Sequence, residues 1–224
     1  MPVPAEPDTT PQEITQQPRP VLCDGAASGY TIVLPPGWQR IPVRQGTAEA
    51  IRKILDQVFG RLSRELPRDS LVRQRIELER RLSAMAARAR EKAGLDLYLP
   101  VEYVHGAAVP ASFAVSEGSP GPAGPGDPAQ VVAYLAAGQD DAAQVTVDGA
   151  IGIRTERIAA ADPASEIPAG SRRVDYALSV PGRPDRWLMA VFSTLGSGDP
   201  DGEYAKILVE LFDAMMSTFR WSWE

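Results

Sequence analysis

Apolar and polar positions alternate along the chain with two distinct periods, and these divide it into strands and helices. The strongest pattern lies near the end. Arg186–Leu195 is an apolar, aromatic and β-branched run that predicts a buried strand. Gly196-Ser-Gly-Asp-Pro200 stops it, with Asp199 placed as an N-cap and Pro200 suited to the first helical position, where its missing N–H would be unpaired anyway. Tyr204, Ile207, Leu208, Leu211, Phe212, Met215 and Phe219 then recur at helical spacing, while Glu203, Lys206, Glu210 and Asp213 take the other faces. A helix of this kind has to bury its stripe. The sheet containing the preceding strand is the surface it is expected to cover.

Earlier segments supply the other layers. Tyr30–Leu34 predicts a first strand, Pro35-Pro-Gly37 a turn, and Gln39–Val43 a second extended piece, with Trp38 as an apolar anchor. Thr47–Leu66 predicts a helix with Ile51, Ile54, Leu55, Val58, Phe59, Leu62 and Leu66 on one face and Thr47 as N-cap. Pro67 interrupts, and a second helix starts at Asp69 or Ser70 and runs to about Lys92, with a thinner stripe of Leu71, Ile76, Leu78, Leu82, Met85 and Ala89 and with Gly94 as its stop. Together these form a helical hairpin over residues 47–93. Leu95–Val104 and Ala107–Val115 predict two strands joined around His105-Gly106, with Asp96, Tyr98 and Tyr103 interrupting the apolar set as half-buried antiparallel strands do. Asp127-Pro128 opens a short helix, Ala129–Ala137. Ala143–Val147 and Ile151–Ile158 make a hairpin through Asp148-Gly149, a type I′ turn signal. Arg172–Val180 alternates strictly and pairs through Gly182–Asp185 with the Arg186–Leu195 strand. Gly118–Pro128, with four prolines and four glycines, and Ala159–Gly170 are expected loops. The expected fold class is α+β: an antiparallel β-sheet packed by a C-terminal amphipathic helix, with an inserted helical hairpin. Residues 1–28, rich in Pro, Thr, Gln and Asp, are expected to be a disordered tail before a single domain at 29–224.

Composition bounds the function more than it assigns one. The 224 residues are 44% hydrophobic and 23% charged, as in an ordinary globular protein. A net charge of −6 argues against a general nucleic-acid binder. Charge is uneven, however: residues 52–92 carry 12 Lys and Arg against 6 Asp and Glu. A basic segment on an acidic body either pairs within the chain or meets an acidic partner. No apolar stretch approaches a membrane span, no signal-peptide pattern opens the chain, and the single Cys23 allows no intrachain disulfide. A cytoplasmic location is the expectation.

No motif nominates catalytic, cofactor or metal residues. His105 is the only histidine, so it would have to serve any Ser or Cys triad, and its place beside Gly106 reads first as a turn. With one His and one Cys, the familiar zinc sites are excluded. Gly196, Gly198 and Gly202 lack dinucleotide-loop spacing, and Asp199 and Asp201 would repel phosphate. Two functional readings remain. One is a non-enzymatic interaction domain that meets a protein partner through the basic hairpin, with Arg73, Arg80, Arg81 and Arg88 as contacts; on the plain structural view these arginines form a solvated, salt-bridged face. The other is a small-molecule binder or enzyme with a pocket near residues 118–128, lined by Tyr98, Tyr103 or His105.

Two stretches carry a family resemblance. Tyr30-Thr-Ile-Val-Leu-Pro-Pro-Gly-Trp38 resembles a strand entering a Pro-Gly-Trp turn, and Phe212-Asp-Ala-Met-Met-Ser-Thr-Phe-Arg-Trp221 a closing helix with an aromatic-basic-aromatic end. Both are similar to the PsbP-like fold, shared by photosystem subunits, a Ran-binding nuclear import factor and small bacterial lipoproteins. The resemblance implies an antiparallel sheet with helices and a role in binding other proteins. It implies no catalytic machinery, and the hairpin is longer than it accounts for.

Overall fold

A computed structural model describes residues 25–62, 68–104, 106, 108–119, 127–137, 139, 141–159 and 170–223. The expected tail up to Asp24, the loop residues 120–126 and 160–169, Pro67 and His105 lie outside the described residues. In chain order the elements are β1 (Ala27–Thr31), β2 (Trp38–Pro42), α1 (Thr47–Leu62), α2 (Arg68–Glu91), β3 (Gly94–Pro100), β4 (Ala111–Gly118), α3 (Pro128–Ala136), β5 (Ala142–Val147), β6 (Ala150–Ala159), β7 (Ser171–Val180), β8 (Arg183–Thr194), α4 (Glu203–Ser217) and β9 (Arg220–Trp223). Seven strands form one antiparallel sheet in the order β2-β3-β4-β8-β7-β6-β5, and β1 pairs with β9 in a separate two-stranded ribbon. The class is α+β, as the alternating patterns predict.

Register sorts the side chains onto two faces. Tyr98, Phe113, Phe192 and Val174 stand opposite one another across β3, β4, β8 and β7, and so do Asp96, Val115, Ala190 and Tyr176. This face is covered by α4: Leu208, Val209, Phe212, Met215 and Met216 join those residues in one core. Phe212 is fully buried and stacks on Phe192 with ring centroids 4.9 Å apart. The opposite face carries two separate covers. The α1–α2 hairpin packs on Ile41, Leu97, Leu99 and Ala114 at the β2 end. The short α3 packs Val131 and Val132 on Ile153, Ala177 and Trp187 toward the β5 end.

Local signals built most elements as expected. Asp127 accepts the Ala129 N–H at 3.1 Å and Pro128 opens α3. Asp148 and Gly149 both take positive φ, 47° and 79°, as a type I′ turn requires. Differences occur where distant pairing decides. The first strand spans Ala27–Thr31 rather than Tyr30–Leu34, and so takes in residues 27 and 28 of the expected tail. Among the described residues it pairs with β9, whose register stops at Thr31↔Arg220; beyond it the Val33 N–H turns to the Thr218 hydroxyl. The last helix starts at Glu203 behind Gly202 as N-cap, because Asp199 instead accepts the Asp201 N–H and closes the turn. It ends at Ser217, and Arg220–Trp223 become a strand. Ile207 is half exposed while Ala205, Val209 and Met216 are buried, so the apolar stripe is rotated from the expected one. On α2, Ile76 and Met85 are exposed and Ala86 is buried in their place. Ala93 (φ 55°), not Gly94, takes the left-handed position after α2; Gly94 is needed because a Cβ there would stand 2.6 Å from the Ala89 carbonyl oxygen.

Candidate functional site

Two places on the molecule hold polar groups in unusual settings, one on each face of the sheet. The first is the hairpin. Its two helices pack through Ile51, Ile54, Leu55, Leu71 and Leu82, and this seam continues onto the sheet. A groove of about 690 Å³ runs along one side, floored by Val58, Phe59 and Leu78 and edged by Arg73, Gln74, Glu77 and Arg81. Around the helix from Arg73, Val72 and Ile76 are 58% and 62% exposed, one turn apart.

The four arginines named from sequence have different surroundings. Arg80 and Arg81 both bind Glu77, at 2.9 Å and 2.6 Å. Hydrogen bonds from these two guanidiniums, Arg80 first, hold the Glu77 carboxyl down at about 2, from an ordinary 4.5. Arg88 is also engaged. Arg73 has no partner among the described residues and lies exposed on the groove edge. Part of the basic face is therefore the salt-bridged surface of the plain structural view, and part is unspent. Other cations of the hairpin are likewise committed: Arg75 to Asp56, Arg61 to Glu102, and Arg90 to the Val43 carbonyl.

The second place is a cleft of about 400 Å³ between the β1–β9 ribbon and the β2–β3–β4 end of the sheet. Asp96, 2% exposed, sits at its base. The Tyr30 hydroxyl donates to its Oδ2 at 2.5 Å and Arg40 Nε donates to its Oδ1 at 2.5 Å. The Tyr98 hydroxyl lies 2.9 Å from that of Tyr30. Burial, with the neighbouring Tyr98 and Asp96, pushes the Tyr30 hydroxyl far above its ordinary value; burial and the Asp96 charge raise Tyr98 to about 12. Both phenols are therefore protonated at neutral pH and act as hydrogen-bond donors, not as bases. At the rim Arg44 binds Glu117 at 2.6 Å, and Leu95, Val180, Leu188 and Trp221 form apolar walls.

Asp96 and Tyr98 were legible only as interruptions of an apolar strand. Their partners Tyr30 and Arg40 are 66 and 56 residues away from Asp96, and no spacing rule connects them. Of the pocket expected near residues 118–128, residues 120–126 and His105 lie outside the described residues, while Tyr98 is buried against Phe113 and Tyr103 is 73% exposed. A third cluster joins Asp213 of α4 to Arg154 (2.9 Å) and to the Tyr176 hydroxyl (2.8 Å), and Arg154 and Arg172 to Glu156. Burial opposes ionisation of Glu156, but the two guanidiniums outweigh it and hold its carboxyl below the ordinary range. Each charge in this cluster is met by an opposite one, so it pins α4 to the sheet. Asp213 was expected on a solvent face; the pairing with Arg154 draws it inward.

Among the described residues no group of three or more His, Cys, Asp or Glu side chains is placed to hold a metal ion. No described helix is long and apolar enough to cross a membrane. No family model matches the chain, and no curated protein matches it.

Proposed function

We propose that the protein is a non-enzymatic interaction module whose α1–α2 hairpin docks an acidic, amphipathic segment of a protein partner. One observation carries this reading: Val72 and Ile76 stand more than half exposed, one turn apart, next to Arg73, which has no partner among the described residues. A helix surface with two adjacent β-branched residues in water gains by covering them. Arg73 and the basic excess of the hairpin favour a partner carrying carboxylates among its apolar residues. Arg73 also edges the groove floored by Val58, Phe59 and Leu78, which lies on a different flank of α2 from Val72 and Ile76. The PsbP-like resemblance, taken as a proposal, points to the same kind of role.

The test is quantitative affinity capture from native lysate with the full chain, the Arg73→Glu variant and the Val72→Ser/Ile76→Ser variant. All three positions are exposed, so each variant should keep the wild-type melting temperature within a degree or two. Partners enriched by the wild type and lost by both variants support the reading. An unchanged set of captured proteins with both variants refutes it.

A further inference from the structure

We infer that the Asp96 cleft is a binding site for a compact organic carboxylate with an apolar body. The argument is an accounting of its charged groups. Both oxygens of Asp96 are engaged, by Tyr30 and by Arg40. Glu117 is met on one oxygen by Arg44 and on the other by Arg186 at 3.6 Å. The guanidiniums are not used up. Arg40 spends its Nε on Asp96 and Arg44 spends one Nη on Glu117, so most of their five donors each remain without acceptors among the described residues. The two side chains are 58% and 52% exposed at the cleft. The buried indole N–H of Trp221, a wall residue, also has no acceptor among the described residues. Each carboxylate oxygen already faces a donor or a cation while the two guanidiniums keep most of their N–H groups, so the surplus in the cleft is on the donor side and suits a ligand that brings oxygen acceptors and negative charge.

The remainder of the lining sets the ligand's other end. Pro42, Leu95, Val180, Leu188 and Trp221 offer an apolar wall, and a volume of about 400 Å³ lies at the small end of ligand pockets. A bare inorganic anion would leave that wall wet. A carboxylate on a ring or short branched chain would place its oxygens on the free edges of Arg40 and Arg44 and its body against Leu188 and Trp221. The buried Asp96, held by Tyr30, fixes Arg40 through its Nε and leaves the Nη groups without an acceptor among the described residues. The cleft is built from Arg40, Asp96, Glu117 and Leu188, on the face of the sheet opposite the one the hairpin covers. The inference is therefore independent of the docking role and stands or falls separately.

Isothermal titration with phenylacetate, 2-phenylethanol, phenethylamine and inorganic phosphate tests it. Phenylacetate is expected to bind saturably at one site and at least about tenfold more tightly than the other three, since only it joins charge-assisted pairing to apolar burial. Arg44→Gln, at an exposed rim position, is expected to weaken phenylacetate about tenfold with an unchanged melting temperature. Glu117→Gln is expected to tighten it severalfold by releasing Arg44 and Arg186, a gain that a merely structural residue would not produce. Equal binding of the amine or the alcohol, no phenylacetate binding at millimolar concentration, or affinities indifferent to both variants would each overturn the assignment.

Discussion

The Arg40–Asp96 pair makes an asymmetric prediction. Arg40 is 58% exposed, whereas Asp96 is 2% exposed, so the two partners differ in what they leave behind when the other is removed. Asp96→Asn keeps an oxygen to accept from Tyr30 and frees a guanidinium that water can reach; the loss is one charge-assisted bond, about 1.5 kcal/mol. Arg40→Ala strands a buried carboxylate with the Tyr30 hydroxyl as its remaining partner, at about 3 kcal/mol, the low end for a broken buried pair because cleft water can partly reach it. In a chain of this size these correspond to falls in melting temperature of roughly 3–6 °C and 6–12 °C. The decisive arm is the double variant. Once Arg40 is gone, Asp96→Asn removes the stranded charge, so it is expected to be neutral or stabilising in that background. Urea unfolding followed by tryptophan fluorescence, with slopes checked for constancy, measures all four corners of the cycle. If Asp96→Asn costs as much without Arg40 as with it, the carboxylate is not held by that guanidinium and the physical account of the cleft base is wrong.

Three further outcomes follow from other parts of the structure. Phe212→Ala empties the centre of the α4–sheet core, where the ring touches Phe192, Phe113 and Tyr176; a loss of about 3–5 kcal/mol in chemical denaturation is expected, and a loss under 1 kcal/mol would show that α4 does not cover this face. Gly94→Ala pushes a Cβ to 2.6 Å from the Ala89 carbonyl oxygen and is expected to lower stability by about 1–3 kcal/mol, whereas Gly60→Ala, with open space around it and a helical position, is expected to raise it slightly; thermal melts of the pair separate steric from entropic effects. For Glu77 the folded-state value lies below the ordinary 4.5, so its clamp on Arg80 and Arg81 is fully present above pH 4.5 and is lost as pH falls toward 2. Carboxyl-carbon NMR titration is expected to place the wild-type midpoint well below that of the Arg80→Gln/Arg81→Gln variant; coinciding midpoints would mean that the two ion pairs do not form in solution.

What could be read from the sequence was what neighbouring residues decide among themselves. The 3.6-residue stripe of α1, the Asp127-Pro128 start of α3, the Asp148-Gly149 turn and the alternation of Val174, Tyr176 and Leu178 each close within a few positions. So does the basic excess of the hairpin, because charge is a property of composition. Tertiary structure alone decided where the helix stripes end and where the last strand goes. Phe219-Arg-Trp221 looked like the end of a helix until Ala27–Thr31, almost the whole chain away, supplied a hydrogen-bonding edge for Arg220–Trp223. Likewise Ile76 was read into the apolar stripe of α2 with Leu78 and Leu82, and the packing of the hairpin left it 62% exposed. The Tyr30–Asp96–Arg40 cluster is the clearest case. A carboxylate inside a strand reads as a solvent-facing break, because burying it is unfavourable unless donors arrive from elsewhere. Those donors come from two other strands, and only the folded sheet and ribbon bring them within 2.5 Å.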